Sequence, residues 1–305
     1  MAFSLIKHLP LSVLHGLAAV GAYIAKNFNL SIYRSINANL ILLNPNLPDV
    51  ERHQKAEQIL KNQLISTVDS LKSWAMPPKW SIEQIKTIHN LPILQAGLAH
   101  PNGLLLIVPH LGVWEMMNPW INTLGSPTIM YKPINHQALN QFVLESRQKT
   151  NATLVPTDAS GVKAVFKTLK AGGFSVILPD HVPDPSGGVV VPFFGIETLS
   201  STLASKLAQK TNCALVGLSC IRQNDGSYEV FCYDLSDSDL YHQDINIATT
   251  ALNRAIEQII LPHFEHYMWG YRRFKHTPLA LNPYLLPPKD LADLATQLHH
   301  HRKAS

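Results

Sequence analysis

Charge is what this chain has least of. Only 15% of its 305 residues are Asp, Glu, Lys or Arg, against 46% hydrophobic, whereas an ordinary soluble domain carries about 25% charged residues. That shortage does not indicate disorder, which requires low hydrophobicity and high net charge, and the net charge here is only +4. A second uncharged apolar run approaching the ~20 residues of a membrane span is also missing, which excludes a polytopic membrane protein. Cysteine is scarce: Cys213, Cys220 and Cys232 are odd in number and include no CxxC pair. They exclude a disulfide framework and suit a reducing compartment. Cys213 and Cys220 flank the apolar run Ala214–Leu218, so all three read as buried thiols on core strands rather than ligands.

Several catalytic signatures are absent as well. Gly217-Leu218-Ser219-Cys220-Ile221 lacks the second glycine of a nucleophile elbow. There is no GxGxxG or GxxxxGK[ST] phosphate loop. Asp180, His181 and Asp184 can be drawn around His110 as metal ligands, but no HExxH or Cys/His framework accompanies them. Neither a metal nor an organic cofactor is expected.

The charge shortage is uneven. No acidic residue precedes Asp49, while Lys7, Lys26 and Arg34 do, and eighteen uncharged residues separate Lys7 from Lys26. Ser12, His15, Gly16 and Gly21 dilute that run, which makes it marginal as a span. It also lacks the short core and small-residue cleavage pattern of a signal peptide. The two readings are a membrane anchor or interfacial helix, with the body cytoplasmic by the positive-inside tendency, and a buried core helix. The expected division is an amino-terminal membrane-associated arm, 1–45, and one catalytic domain, 46–305.

After helical stretches at 1–45, 50–75 and 82–99 the pattern changes. Gly103–Pro109 is a short continuous apolar run, the mark of a strand buried on both faces. Comparable runs recur at 127–131, 153–155, 174–178, 214–221 and 228–233. Helix-like stretches at 135–150, 160–171, 198–211 and 244–261 alternate with them, and the last residues, 291–305, read as a terminal helix or tail. The alternation predicts an α/β fold with a mixed, mostly parallel sheet flanked by helices. His299 to His301 form too short a tract to constitute a site.

Open α/β sheets place ligands at the carboxyl ends of their strands. The first such end carries Pro109-His110-Leu111-Gly112-Val113-Trp114-Glu115. About one HX4[DE] spacing is expected by chance in this composition, yet this match is unique in the chain and follows the best buried run. Gly112 permits a tight strand-to-helix turn. A loop-held His with a carboxylate nearby can act as a general base, the carboxylate fixing the tautomer and supporting the imidazolium. The bland alternative is a loop His beside a surface Glu.

Val-Pro-His110-Leu-Gly-Val-Trp-Glu115 resembles the HX4[D/E] block of glycerolipid acyltransferases, and more narrowly the HxGxWE form of the lipid A late acyltransferases. The likeness extends in order to Leu178-Pro179-Asp180-His181, Val191–Gly195 and Tyr267–Lys275, covering roughly 100–280. Val113 stands where that family commonly has Asn, and Thr277 where a further Arg often follows. The resemblance implies acyl transfer from acyl carrier protein to a hydroxyl of a lipid A precursor or related glycolipid, at the cytoplasmic face of the cell inner membrane. It implies His110 as general base with Glu115 orienting it, and Trp114, Arg147, Asp180, Arg272 and Arg273 at the substrate. The oxyanion donors would be backbone N–H groups near Gly112 or a side chain.

Each of these residues has a plainer reading. Arg147 can lie on a solvated helix face with Glu145 and Lys149 rather than holding a phosphate or carboxylate bidentately. Asp180 can close an Asx turn before Pro183 rather than bind a sugar hydroxyl or orient a basic group. Arg272, Arg273 and Lys275 beside Trp269, Tyr271 and Phe274 suit an anionic leaflet or an acidic carrier protein. Three cations in a nearly neutral chain make a poor nucleic-acid track, so nucleic acid is not an expected partner. An acyltransferase acting on another glycolipid or on a lysophospholipid is the alternative within the same class, and a non-catalytic lipid-binding protein of the same fold is the competing class.

Overall fold

In the computed structural model, residues 3–133, 135–278 and 281–304 are described. The amino-terminal 45 residues are not one helix. After a 3-10 turn, α1 (Leu11–Asn27) and α2 (Ser31–Leu43) are separated by a corner at Asn29, whose φ is +46°. The long α3 (Asp49–Ala75) follows and ends before Pro77-Pro78. Proline at the second of these positions starts α4 (Pro78–Gln84), where its missing N–H is an orphan in any case.

The expected helix over 82–99 divides. Ile85–His89 is a strand, β1, and α5 (Leu91–Leu98) begins only after Asn90 takes a left-handed conformation. The isoleucines at 85 and 88 misled a reading by helical period. Parallel pairing to an outer strand of the sheet, which no local pattern reveals, overrides it.

From there the alternation is as expected. In chain order come β2 (Leu104–Ile107), α6 (Trp114–Ile121), β3 (Thr128–Tyr131), α7 (Gln137–Arg147), β4 (Thr153–Pro156), α8 (Ala159–Lys170) and β5 (Phe174–Ile177). Then follow β6 (Gly188–Phe193) and β7 (Ile196–Ser201), which pair antiparallel as a separate hairpin. The stretch 198–211, expected to be all helix, therefore opens as strand and becomes helical only at α9 (Leu203–Thr211). The chain continues through β8 (Ala214–Arg222), β9 (Tyr228–Asp234), α10 (Ile245–Ile260) and α11 (Pro288–Ala304). The side chains of His299 to His301, in this last helix, lie outside the described residues.

Among the described residues the main sheet has the order β1-β9-β8-β2-β5-β3-β4. The run from β8 to β4 is parallel, while β9 lies antiparallel to β8, so the sheet is mixed and mostly parallel. Strand β2 sits at its centre, and Leu104–Ile107 are each 1% exposed or less. Burying a side chain of this size contributes about 1.5–3 kcal/mol, which explains why its hydrophobic run is unbroken. Cys220 and Cys232 lie buried on β8 and β9, with Cys213 just before β8. Burial pushes the Cys232 thiol up to about 11.

The amino-terminal arm packs onto this body. One face of α1, with Leu14, Ala18, Ala22 and Ala25, is buried, and His15 Nε2 meets the fully buried Asp69 of α3 at 2.6 Å. The opposite stripe, Val13, Leu17, Val20 and Ile24, is exposed together with Tyr23 and Phe28. Spacings of three and four place that stripe along one side of the helix. Among the described residues no helix is long and apolar enough to cross a membrane. α2 goes deeper still: Ile36 and Leu42 are completely buried in the core on one side of the sheet.

Candidate active site

The parallel pairing of β2 with β5 places the chemistry. Ile107 lies opposite Ile177, a constant offset of seventy residues along the pair. His110 and Asp180 each follow three residues later, and they meet. Asp180 Oδ1 accepts from His110 Nδ1 at 2.8 Å, and Oδ2 accepts from the His110 backbone N–H at 2.9 Å. The Tyr267 hydroxyl donates to Oδ2 as well, at 3.0 Å. Burial opposes ionisation of Asp180, but the charge and hydrogen bond of His110 outweigh it and hold the carboxyl well below the usual range. With Nδ1–H committed to a carboxylate, the lone pair of His110 resides on Nε2.

The turn bearing His110 is held on both sides. Gly112, at φ +65°, lies so close to β8 that a Cβ would sit 2.0 Å from the Cys220 carbonyl oxygen, so only glycine fits. Its N–H donates to His266 O and that of Val113 to Cys220 O. Those two of the N–H groups near Gly112 are therefore unavailable to a reacting oxyanion. Met268 N–H donates to His110 O, tying the loop to the segment that supplies Tyr267.

Behind the imidazole is a stack of rings. His181 lies parallel to His110 with centroids 3.8 Å apart, and Tyr271 covers its other face at 4.2 Å. Burial, helped by the neighbouring charge of His110, pushes His181 down to about 4. Tyr271 receives the Val182 N–H on its hydroxyl at 3.0 Å.

Glu115 is not the carboxylate bonded to His110. It lies in the first turn of α6, and its Oε1 accepts from Arg147 of α7 at 2.8 Å, both side chains being nearly buried. The Arg147 guanidinium sits between the Trp114 and Tyr131 rings, 5.2 and 5.0 Å from their centroids. Glu115 Oε2 is buried without a partner among the described residues. Pro119 has no N–H to donate four residues back to Glu115 O, and Ser73 Oγ of α3 occupies that carbonyl instead at 2.9 Å. Arg147 is thus no solvated cation, nor is it free to chelate an anion with its whole fork.

His110, Trp114 and Glu115 line one cavity of about 410 Å³, walled on the far side by α3 with Ser70 and Trp74. The 267–275 block, expected to form a basic and aromatic surface, is mostly interior. Trp269 and Phe274 are completely buried, and Arg273 donates to Leu199 O and Ser200 Oγ, bracing β7 from inside. Two polar residues of the helices fix this loop. Asn39 Nδ2 donates to Trp269 O and Tyr271 O, and Gln63 Oε1 accepts from Gly270 N–H. Arg272 remains partly exposed, with Nε and one terminal nitrogen on Ser35 and Ser31.

Sequence reasoning places His181 and Tyr267 only in matching blocks, considers His181 further only as a metal ligand, and assigns the supporting carboxylate to Glu115. The usable signal was the equal distance of His110 and Asp180 from their strand ends. It has meaning only once β2 and β5 are known to be neighbours.

The family described as bacterial lipid A biosynthesis acyltransferase matches residues 1–276. The chain is 23% identical to the lipid A biosynthesis lauroyltransferase of Escherichia coli over 276 residues, 90% of this chain and 89% of that protein. It is 26% identical to the lipid A biosynthesis acyltransferase of Haemophilus influenzae over 255 residues, 81% and 78% of the two chains. A phosphatidylinositol mannoside acyltransferase of Mycobacterium tuberculosis is 27% identical over 183 residues, 58% of this chain and 56% of that one.

Proposed function

The chain belongs to the bacterial lipid A biosynthesis acyltransferase family and is an acyltransferase, and on that premise we propose that it moves a fatty acyl chain from acyl carrier protein to a hydroxyl of a lipid A precursor. The observation that supports this reading most is the His110–Asp180 pair at the edge of the 410 Å³ cavity. His110 lines that space together with a second carboxylate, Glu115, and nothing in the mechanism requires a nucleophile from the protein.

His110 Nε2 takes the proton of the acceptor hydroxyl as its oxygen attacks the thioester carbonyl carbon. Asp180 holds Nδ1–H and stabilises the imidazolium that forms, a two-member form of triad logic. The C–S bond then breaks, and the departing sulfur takes the proton back from Nε2. Glu115 adds a second negative charge on the same cavity, and Arg147 fixes its orientation. Because the Gly112, Val113 and Met116 N–H groups are engaged, the Trp114 and Glu115 N–H groups that open α6 are the proposed backbone donors for the oxyanion.

The reaction is placed at the cytoplasmic face of the inner membrane, the exposed apolar stripe of α1 resting on the lipid and its buried face staying on α3. The mycobacterial relative is named for a phosphatidylinositol mannoside acceptor, so the acceptor panel must include a second glycolipid. The test is mass spectrometry of acyl transfer from acyl-carrier donors to a lipid A precursor and to that alternative. His110→Ala and Glu115→Ala are expected to abolish transfer. Either variant working at the parental rate overturns the mechanism, and preference for the second glycolipid overturns the assigned acceptor.

A further inference from the structure

A second cavity, of about 320 Å³, lies outside the catalytic one. Its walls are α2, the first turns of α3, the loop at Arg272 and the segment from Tyr284 to Leu291. Arg34, Arg52 and Arg272 all line it, and among the described residues no carboxylate does. Asp49 is the acid that meets one of them, Arg52, at 2.6 Å, and its own side chain is 79% exposed. Arg34 donates to a neutral carbonyl, Asn29 O. Arg272 has the two serine hydroxyls described above and lies over the Tyr284 ring at 5.8 Å. Three guanidinium groups against one outlying carboxylate leave about two positive charges in excess, which matches a phosphate monoester near neutral pH.

Two buried polar atoms in this wall sharpen the chemistry. Among the described residues Arg52 Nε has no acceptor and Asn37 Oδ1 has no donor. A buried polar atom left without a partner is destabilising, so a ligand that supplies the missing partners gains from that. The N–H requires an acceptor oxygen and the carbonyl requires a hydroxyl. A ligand that carries both a phosphate and a hydroxyl offers each kind of partner, and a bare phosphate dianion offers only the first.

The surroundings are apolar. Tyr33, Ile41 and Leu291 form the buried part of the wall. At the surface, Phe28 and Leu30 flank the lining residue Asn29, and Leu285 stands between the lining residues Tyr284 and Leu286; all three are exposed. A cationic recess with a hydrophobic rim fits an amphiphile more closely than a free anion.

We propose that this recess is a subsite for the phosphorylated, hydroxyl-bearing headgroup of a membrane lipid. Position connects it to catalysis. Arg52 and Ser66 both belong to α3 and line the two different cavities, about 20 Å apart along the helix. Arg272 directly follows Tyr271, whose ring backs the His181–His110 stack. In the acyl-transfer reading the headgroup bound here is that of the acceptor, and this link alone rests on that reading.

Isothermal titration calorimetry of the full chain tests the site without turnover. The probes are hexanoyl lysophosphatidic acid, inorganic phosphate and short-chain phosphatidylcholine. Lysophosphatidic acid is expected to bind, with inorganic phosphate and phosphatidylcholine each at least about tenfold weaker. Arg52→Gln and Arg272→Gln should each weaken it by about tenfold or more, as loss of a charge-assisted contact predicts, while His110→Ala leaves it unchanged. Arg34→Gln removes an exposed side chain and provides a variant safe for folding, with a smaller loss expected. Inorganic phosphate binding as tightly as the lipid reduces the recess to a free-anion site and overturns the proposal. Absent binding, binding indifferent to all three arginines, or binding lost in His110→Ala also overturns it. Binding as expected in a protein that transfers no acyl chain leaves the subsite standing and removes the acyl-transfer reading, so the two fail separately.

Discussion

Replacing Asp180 by Asn separates the role of the carboxylate that bonds His110 from that of Glu115, five residues along the chain from His110. The side chain is 1% exposed and accepts three hydrogen bonds, from His110 N–H, His110 Nδ1 and Tyr267 Oη. Asn offers one acceptor oxygen. Its best place is the Oδ2 position, where the immovable backbone N–H and the tyrosine hydroxyl both point. The amide NH2 then faces Nδ1, which must become the lone-pair nitrogen, and the proton moves to Nε2. A base with a protonated Nε2 cannot take the acceptor proton. A triad aspartate changed in this way loses roughly 10⁴ in rate in a serine protease. Here the expected loss in kcat is about 10²–10⁴, or roughly 3–5.5 kcal/mol of barrier, with KM within about threefold. Stability should change less, because removing a fully buried charge also removes its desolvation cost. The assay is steady-state acyl transfer beside thermal unfolding of the same samples. The double variant with His110→Ala should be no slower than His110→Ala alone, since the two act as a unit. A folded Asp180→Asn enzyme within fivefold of the parent would refute the reasoning and return the supporting role to Glu115.

Breaking the other buried pair should affect stability as well as rate. Glu115→Gln leaves Arg147 charged and buried, a loss of about 3–5 kcal/mol, read as a Tm lower by roughly 6–10 °C; an unchanged Tm would mean Arg147 reaches water. Gly112→Ala places a Cβ 2.0 Å from Cys220 O at a positive φ, and a cost of roughly 3 kcal/mol or more should appear in urea unfolding, where wild-type stability would contradict the close approach. Burial holds His181 and His266 down at about 4, with the charges of His110 and Arg222 respectively assisting, whereas both titrate near 6.5 when unfolded. The unfolded chain thus takes up their protons first, so their contribution is complete above about pH 6.5 and is lost as pH falls toward 4, on the order of 4 kcal/mol for the two after allowing for partial exposure. Urea midpoints between pH 7.5 and 5 should show that decline, and His181→Gln with His266→Gln should flatten it; an equal decline in the double variant would assign it elsewhere. Leu17→Glu with Val20→Glu alters only the exposed stripe of α1; sedimentation with anionic vesicles should fall several-fold at unchanged Tm, and undiminished sedimentation would remove that stripe from the lipid contact.

The sequence by itself determined the architecture and the address of the chemistry. Hydrophobic runs such as Leu104–Ile107 are unbroken because a central parallel strand is buried on both faces, and that requirement is written residue by residue. Glycine at 112 and histidine at 110, directly after such a run, mark a strand-end site for the same local reason. The strands at Ile85–His89 and Ile196–Ser201 were not legible, because each is stabilised by a partner far along the chain or by a hairpin that competes with a helical pattern. The tertiary structure alone decided which charges meet. Glu115 is five residues from His110 yet pairs with Arg147, while Asp180, seventy residues away, pairs with His110 because β2 and β5 run parallel in register. It also turned Trp269, Arg273 and Phe274 from an apparent surface into core. Spacing along a chain fixes what one helix or strand can present, but contact across a sheet is set by strand order and register, and those are properties of the whole fold.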